Sequence, residues 1–574
     1  MFAVCFPTAA WPQERSRPEF LVTTGETGTY GGQLVVAQRA EPRTLNPVIA
    51  VDLPTKDVLR TTIGDLIHIN RETQRTEAAL AKSWTLSPDG RRYTLVLRQG
   101  VRFSDGDPFD ADDVVFSFQV YLDPKVASTN RDLLTIDGQP VVVRKVDRYR
   151  IEVTLAKPYA AAERIFDGIA MLPRHLLEKA YKEGRFASAW GLNAPPDSIA
   201  TLGPFRFREY VPGQRLVLER NPHFWKADRA GNQLPYLDRL VFTFVPSEDA
   251  QVVRFQSGDA DVVTRLSAAN YDTLSRVARR EYELFDVGAS LEYTFVFFNL
   301  SDAAAKAMPE VVRKQAWFRR VPFRRAVSLA IDRDAITRIV YRGRATPLYG
   351  HVPPGNKLWR DASLPRPLRA LERARTLLRE ANFSWNAQGA LVDEKGQAVQ
   401  FTLVTNSSNA QRVQIATIVQ DDLKQIGIDV KVVTLEMRAL LDRLLTTGDY
   451  DACILGLGGG DADPNAELNV WLSSGTMHLW NPGQGKPATT WEEELDSLMQ
   501  RQLTVLDASE RKRLYDRVQQ LVVEYLPIVP LVSPNVLVGA KKGLGNFRPT
   551  VLDPHALWNV EELFWRGRRP VGSQ

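Results

Sequence analysis

The sequence predicts an α/β protein with more than one lobe, and three observations carry that expectation. The chain has 574 residues, more than a single hydrophobic core usually organises. Its N-terminal half mixes short strands, turns and a few helices, with no repeat of solenoid length. Residues 401–456 alternate strand and helix patterns in a regular order.

That last segment justifies each of its elements in turn. FTLVT reads as a strand. NSSNAQRVQIATIVQDDLKQIG reads as a helix, with Val413, Ala416, Val419, Leu423 and Ile426 at three- and four-residue steps and Gly427 as its end. IDVKVVTL alternates as a strand. EMRALLDRLLTTG gives a second helix with Met437, Leu440, Leu441 and Leu444 on one face. YDACILG is a short, continuous apolar run, as expected of a strand buried on both sides. The order β-α-β-α-β implies a parallel sheet with right-handed crossovers.

Upstream, LAKSWTLSPDGRRYTLVLRQG predicts a hairpin turning at Ser87-Pro88-Asp89-Gly90. PFDADDVVFSFQVYL predicts a helix capped by Asp110, with Asp112 and Asp113 in its first turn, where carboxylates suit the helix dipole.

Composition narrows the function. Apolar residues are 44% and charged residues 25% of the chain, and 73 basic side chains stand against 68 acidic ones. With the two signs nearly balanced and no block of like charge, a nucleic-acid partner is not expected. The two cysteines, Cys5 and Cys453, suggest neither a zinc site nor a disulfide framework. No stretch reaches the roughly 18 apolar residues of a membrane helix. The opening MFAVCFPTAAWPQERSR is apolar and then abruptly polar. It reads as a signal remnant, a lipoprotein signal ending at Cys5, or an extension without function; Val4 is not the small residue a lipid-modified cysteine prefers.

In open α/β sheets, ligands bind outside the carboxyl ends of the strands. Here those ends are Asn406-Ser407-Ser408, Glu436-Met437 and the glycine loop GLGGGDADP, Gly456 to Pro464. The loop is not a phosphate cradle, because Asp461-Ala462-Asp463-Pro464 stands where a lysine and a helix start belong. The acidic run Ser104 to Asp113 lacks calcium-loop spacing, and the six histidines form no ligand pair, so no metal or other cofactor is expected. Ser509 and Lys512 match the S-x-x-K of penicillin-binding enzymes, but its partner motifs are missing and the pair opens an amphipathic helix. Trp471, Trp480 and Trp491 follow the glycine loop and read equally as cleft aromatics or as core.

Several blocks, in order, resemble the family 5 extracellular solute-binding proteins of ABC importers, the oligopeptide- and dipeptide-binding group. They include TLNP (44–47), LAKSWTLSPDGRRYTLVLRQGVRFSDGDPFDADDVVFSF (80–118), LGPFRF (202–207), NPHFWKADRAGNQLPYLDRLVFTF (221–244) and FFNLS (297–301). FRRAVSLAIDRDAI (323–336), DLKQIGIDVKVV (422–433) and YLPIVPLV (525–532) follow.

The resemblance implies a two-lobed periplasmic-binding-protein fold of type II, with an extra domain inserted in the first lobe. Its expected divisions are an N-terminal remnant at 1–29, lobe I at 30–295 with the insertion at about 76–195, lobe II at 296–524, and a return to lobe I at 525–574. It also implies a ligand closed between the lobes, a separately encoded ABC permease and ATPase as partners, a monomer, and a periplasmic or extracellular location, with a lipid tether as an alternative. Peptides with a free amino terminus are the first expectation, an oligosaccharide or other small solute the second, and an enzyme of the S-x-x-K type a distant third.

The pattern of peptide-binding members is altered at its centre. With the sequences aligned on Pro464, their Trp falls at Leu457 and their amine-pairing Asp at Gly460, and Asp461 takes that role after a shift of one residue. A second aromatic position falls at Met437. The candidate ligand-binding set is therefore Asp461, Gly460, Leu457, Met437, Asn406, Val51 and Trp471.

Overall fold

A computed structural model describes residues 19–278, 281–301, 309–458 and 461–567. Its dominant feature is a twelve-stranded mixed sheet made of two halves. One half holds Phe205–Val211, Arg215–Arg220, Arg239–Phe244, Gln33–Gln38 and Val262–Val263; the other holds Glu292–Phe298, Ala452–Gly458, Gln400–Asn406 and Asp429–Leu435. Between them runs Ile528–Lys541, a strand of 14 residues. At about 3.3 Å per residue it is long enough to serve both halves.

The register shows how it does so. Its first residues pair with Glu292–Phe298, Phe297 opposite Ile528 and Thr294 opposite Val532. Its last residues pair with Tyr282–Ala289, Tyr282 opposite Lys541 and Ala289 opposite Asn535. The two chains cross together at Ser290-Leu291 and Ser533-Pro534. There the Ser290 amide donates to the Pro534 carbonyl at 2.9 Å, and the Ser533 hydroxyl donates to the Ser290 carbonyl at 3.2 Å. The register slips on either side of this crossing, and such irregularities bend and re-aim strands. The expected boundaries at 295/296 and 525 thus fall inside a strand of the second half and at the end of the helix Ala508–Tyr525. An apolar pattern marks a strand but not the point where it changes partners.

Each half has its own core. Leu34, Val36, Leu240 and Phe242 pack with Val538 and Ala540 in the first. In the second, Val296, Phe298, Leu403, Val419 and Ile454 fill one face, and Tyr293, Phe295, Phe297, Cys453 and Trp471 the other. Glu292–Phe298 is therefore almost wholly apolar, as a strand covered on both faces must be. Cys453 is a buried free thiol; Cys5 lies outside the described residues.

The β-α-β-α-β unit forms as its periodicity requires. Gln400–Asn406 is parallel to both Asp429–Leu435 and Ala452–Gly458. Asn409 caps the helix Ala410–Lys424 by accepting from the Arg412 amide at 2.9 Å. The second helix is shorter than its pattern, regular only over Met437–Asp442 and then widening into a π-helical turn, Arg443–Thr447, that ends at Gly448. Among the described residues no helix is long and apolar enough to cross a membrane.

In the N-terminal region, Ala81–Leu86, Arg92–Leu97, Arg150–Thr154 and Val142–Asp147 form a separate four-stranded sheet. Asp110 and Asp113 make a reciprocal cap on the helix Ala111–Leu122, and burial pushes the Asp113 carboxyl up to about 6. Asp105 and Asp107 both face His175. The acidic run is thus spent on a cap and on ion pairs.

Candidate functional site

A cavity of about 440 Å³ lies against the crossing, between the two half-sheets. Ser290, Leu291, Glu292 and Gly458 form one side, while Arg265, Leu537, Leu552 and Asp553 stand among those opposite. Glu292 pairs in register with Gly458, so the cavity sits at the carboxyl end of the strand Ala452–Gly458, where the topology expects a ligand. A second cavity of about 280 Å³ continues into the first half, past Arg265 and His555, towards Val36, Phe242 and Leu557.

The first-half wall carries charges that are already committed. Arg265 donates to Asp57 at 2.8 Å and to Asp553 at 2.9 Å, and His555 lies 3.2 Å from Asp553. Burial raises the Asp57 carboxyl in spite of Arg265. For Asp553, burial pulls upward but His555 and Arg265 outweigh it and hold the carboxyl below its ordinary range.

The glycines on the opposite side have a steric reason. A Cβ on Gly456 would come within 2.6 Å of Arg412 Nη2, and one on Gly458 within 2.8 Å of Glu292 Cγ. Both residues make room for long polar side chains on one face of their strand. Arg412 also donates to Asn406 Oδ1 at 3.0 Å.

Asp461 lies elsewhere in the cleft. Both its carboxylate oxygens accept from Arg164, which comes from the opposite half. Burial alone would lower the Arg164 guanidinium, but the Asp461 carboxylate overcomes it and holds it above its ordinary value. Arg164 also donates to the Gln74 carbonyl at 2.9 Å. The Gln74 side chain in turn donates to the Gly355 carbonyl at 2.6 Å and accepts from the Lys357 amide at 2.8 Å. Ile69, Leu291, Ala462 and Leu552 form an apolar cluster beside this network. Together these contacts form a latch between the two halves.

Of the seven residues singled out from the sequence, the six that are described do not converge. Asp461, expected to anchor a free amine, has its carboxylate paired with Arg164 in the unliganded protein. Trp471 is fully buried, its ring 4.2 Å from that of His351 and its Nε1 donating to Glu467 at 2.8 Å. It supports the core and presents no stacking face. Leu457 and Met437 pack partly buried against that same core, on the face of the sheet away from Arg412. Asn406 is buried beneath Arg412. Val51 is exposed, two residues before Leu53, which lines both cavities. Gly460 lies outside the described residues. Glu292, Arg265, Arg412 and Arg164 were not singled out. Glu292 alone left a signal, as a charge interrupting the apolar run after Ser290.

Other chemistry is accounted for by structure. Asp65, His68 and Asp167 place ligand atoms within 4.8 Å of one another. Asp167 nevertheless accepts from the Ile69 amide and from Arg71, and His68 Nδ1 lies 3.0 Å from Asp65. The group is an ion-paired corner rather than an open metal site. Ser509 is exposed in the first turn of its helix, and Lys512 pairs with Asp516.

Glu467, enclosed near the latch, carries a pH dependence. Burial raises its carboxyl from 4.5 to about 7, although Trp471 Nε1 donates to it at 2.8 Å. A folded-state value above the unfolded one means that stability is full at low pH. It declines once the unfolded carboxyl ionises and levels off above about pH 7. Glu467→Gln removes this decline, so the variant should gain about 2 kcal/mol on the parent between pH 5 and pH 8. Thermal melting across that range checks it; parallel curves would refute the assignment.

With this geometry in view, relatives place the chain. Residues 75–478 match the family model "Bacterial extracellular solute-binding proteins, family 5 Middle". A probable ABC transporter-binding protein of Deinococcus radiodurans is 29% identical over 529 residues, covering 88% of this chain and 87% of the relative. Oligopeptide-binding protein AppA of Bacillus subtilis is 25% identical over 538 residues, covering 93% and 91%. The structure of AppA with a nonapeptide aligns with a TM-score of 0.66 at 25% identity, covering 94% of this chain and 100% of that one. NikA of Brucella suis with Fe(III)-EDTA, at 21% identity, shares the fold with a TM-score of 0.76, covering 93% and 100%. The fold is thus the two-lobed α/β periplasmic-binding-protein type, and the chain belongs to the bacterial extracellular solute-binding proteins of family 5.

Proposed function

We propose that the protein captures a short peptide between its lobes outside the cytoplasm and hands it to an ABC permease driven by a separate ATPase. The observation that carries this reading is the cavity of about 440 Å³ at the crossing, in a chain that matches a peptide-binding relative over nearly its whole length. That volume lies in the range of small-ligand sites. Capture needs no bond chemistry, only higher affinity for ligand in the closed form than in the open one.

The four-stranded N-terminal sheet is read as the domain inserted in lobe I. Arg164, in the turn Ala162–Phe166 that follows this sheet, then ties the insertion to lobe II through Asp461. Membrane tethering is the alternative to a freely diffusing protein.

A periplasmic alpha-galactoside-binding protein of Rhizobium meliloti is 27% identical over 395 residues, which keeps a sugar as the second reading. Sugars are held by stacking on aromatic rings, and among the described residues the lining of the cavity of about 440 Å³ has no Phe, Tyr or Trp. Peptide is therefore preferred. The test is thermal melting with di- and tripeptide pools and with galactosides. Peptides should raise the melting temperature with increasing concentration, and a rise with galactosides alone would reverse the assignment.

A further inference from the structure

We propose that Glu292 is the acidic residue that receives the ligand's cationic group, the amino terminus of a peptide, in place of Asp461. The inference rests on the peptide reading and assigns the charge contact within that site.

Four observations converge on Glu292. It lines the cavity directly beside the crossing. Its backbone is fixed there, the amide donating to Ser290 Oγ at 3.0 Å and the residue pairing with Gly458. Gly458 leaves open the space its stem occupies. Finally, Glu292 has no cation within ion-pair distance among the described residues, although its side chain is exposed to the cavity.

The competing carboxylates are engaged. Asp57 and Asp553 share Arg265, and Asp461 is held by Arg164. Arg412 approaches the same corner, but its guanidinium lies over Gly456 and donates to Asn406. The uncommitted charge of the cavity lining is therefore negative and belongs to Glu292. An ammonium group meeting it forms a charge-assisted hydrogen bond without displacing an existing ion pair. At Asp461 the same ammonium group would have to displace Arg164 and leave a buried guanidinium unpaired.

Position adds a coupling. Glu292 sits one residue past the crossing, so a ligand held by it bridges the segment about which the lobes turn. Specificity for a free amine and the closing movement would then share one residue.

The test uses the full chain, a pool of random tripeptides and the same pool after N-acetylation, read as retained mass in native mass spectrometry. The parent should retain free-amine peptides at least tenfold over acetylated ones. Glu292→Gln should abolish that preference, Glu292→Asp should keep part of it, and Asp461→Asn should leave it intact. Melting without peptide confirms that each variant is folded. If Glu292→Gln keeps the preference, or Asp461→Asn alone removes it, the assignment is overturned while the peptide reading stands. If the parent retains neither pool, the peptide reading fails and the assignment falls with it.

Discussion

Asp461→Asn opens the unliganded protein. The variant should show a larger radius of gyration in small-angle scattering and a lower melting temperature than the parent. The physical reason is the environment of Arg164, whose side chain is about one-tenth exposed. Without Asp461 it keeps the Gln74 carbonyl and, as counter-charges, only the weaker influence of Asp463 and Asp167. Leaving one partner of a largely buried pair uncompensated costs about 3–5 kcal/mol, and the partial exposure of Asp461 reduces this to ~2–3 kcal/mol. Since the pair spans the lobes, most of that cost falls on the closed arrangement. Arg164→Gln should open the protein too, and the double variant should lose less than the two single losses combined. Additive losses, or an unchanged scattering curve, would show that the pair does not hold the lobes together.

Trp471→Ala should be among the most damaging single changes in the second lobe, at about 3–5 kcal/mol in denaturant unfolding. It empties the space between His351 and Trp480 and removes the donor to Glu467. The prediction separates support from contact. Below the melting temperature, the folded fraction should bind peptide with unchanged affinity, and Trp471→Phe should recover part of the stability. A loss of affinity at full folding would return Trp471 to the binding wall.

The β-α-β-α-β unit was legible because it is a local property. Val413, Val419, Leu423 and Ile426 repeat at helical spacing within one segment, and the neighbouring strands are too apolar to be anything but covered. Topology placed one strand end, Gly458, at the cavity, and the Asp110 cap followed from three closely spaced carboxylates. What stayed hidden depends on residues far apart in the chain. Nothing near Arg164 indicates that Asp461, 297 positions away, will take its charge. Nothing near Trp471 separates a core indole from a stacking one, since both call for the same residue type. The glycine loop announced a close approach but not what approaches. Gly456 and Gly458 clear space for Arg412 and Glu292, which come from two other segments.

The strand Ile528–Lys541 also governs the order of assembly. It lies inside the sheet, between strands of both halves, yet it is made only when synthesis is almost complete. Until then each half has an unfilled gap where its central neighbour belongs, and neither can close its hydrogen bonding. The nascent chain should therefore remain unfolded nearly to its end, and both lobes should form in one late step dominated by distant pairings. For a chain that must be threaded through a membrane before it works, that delay keeps it in a transportable state.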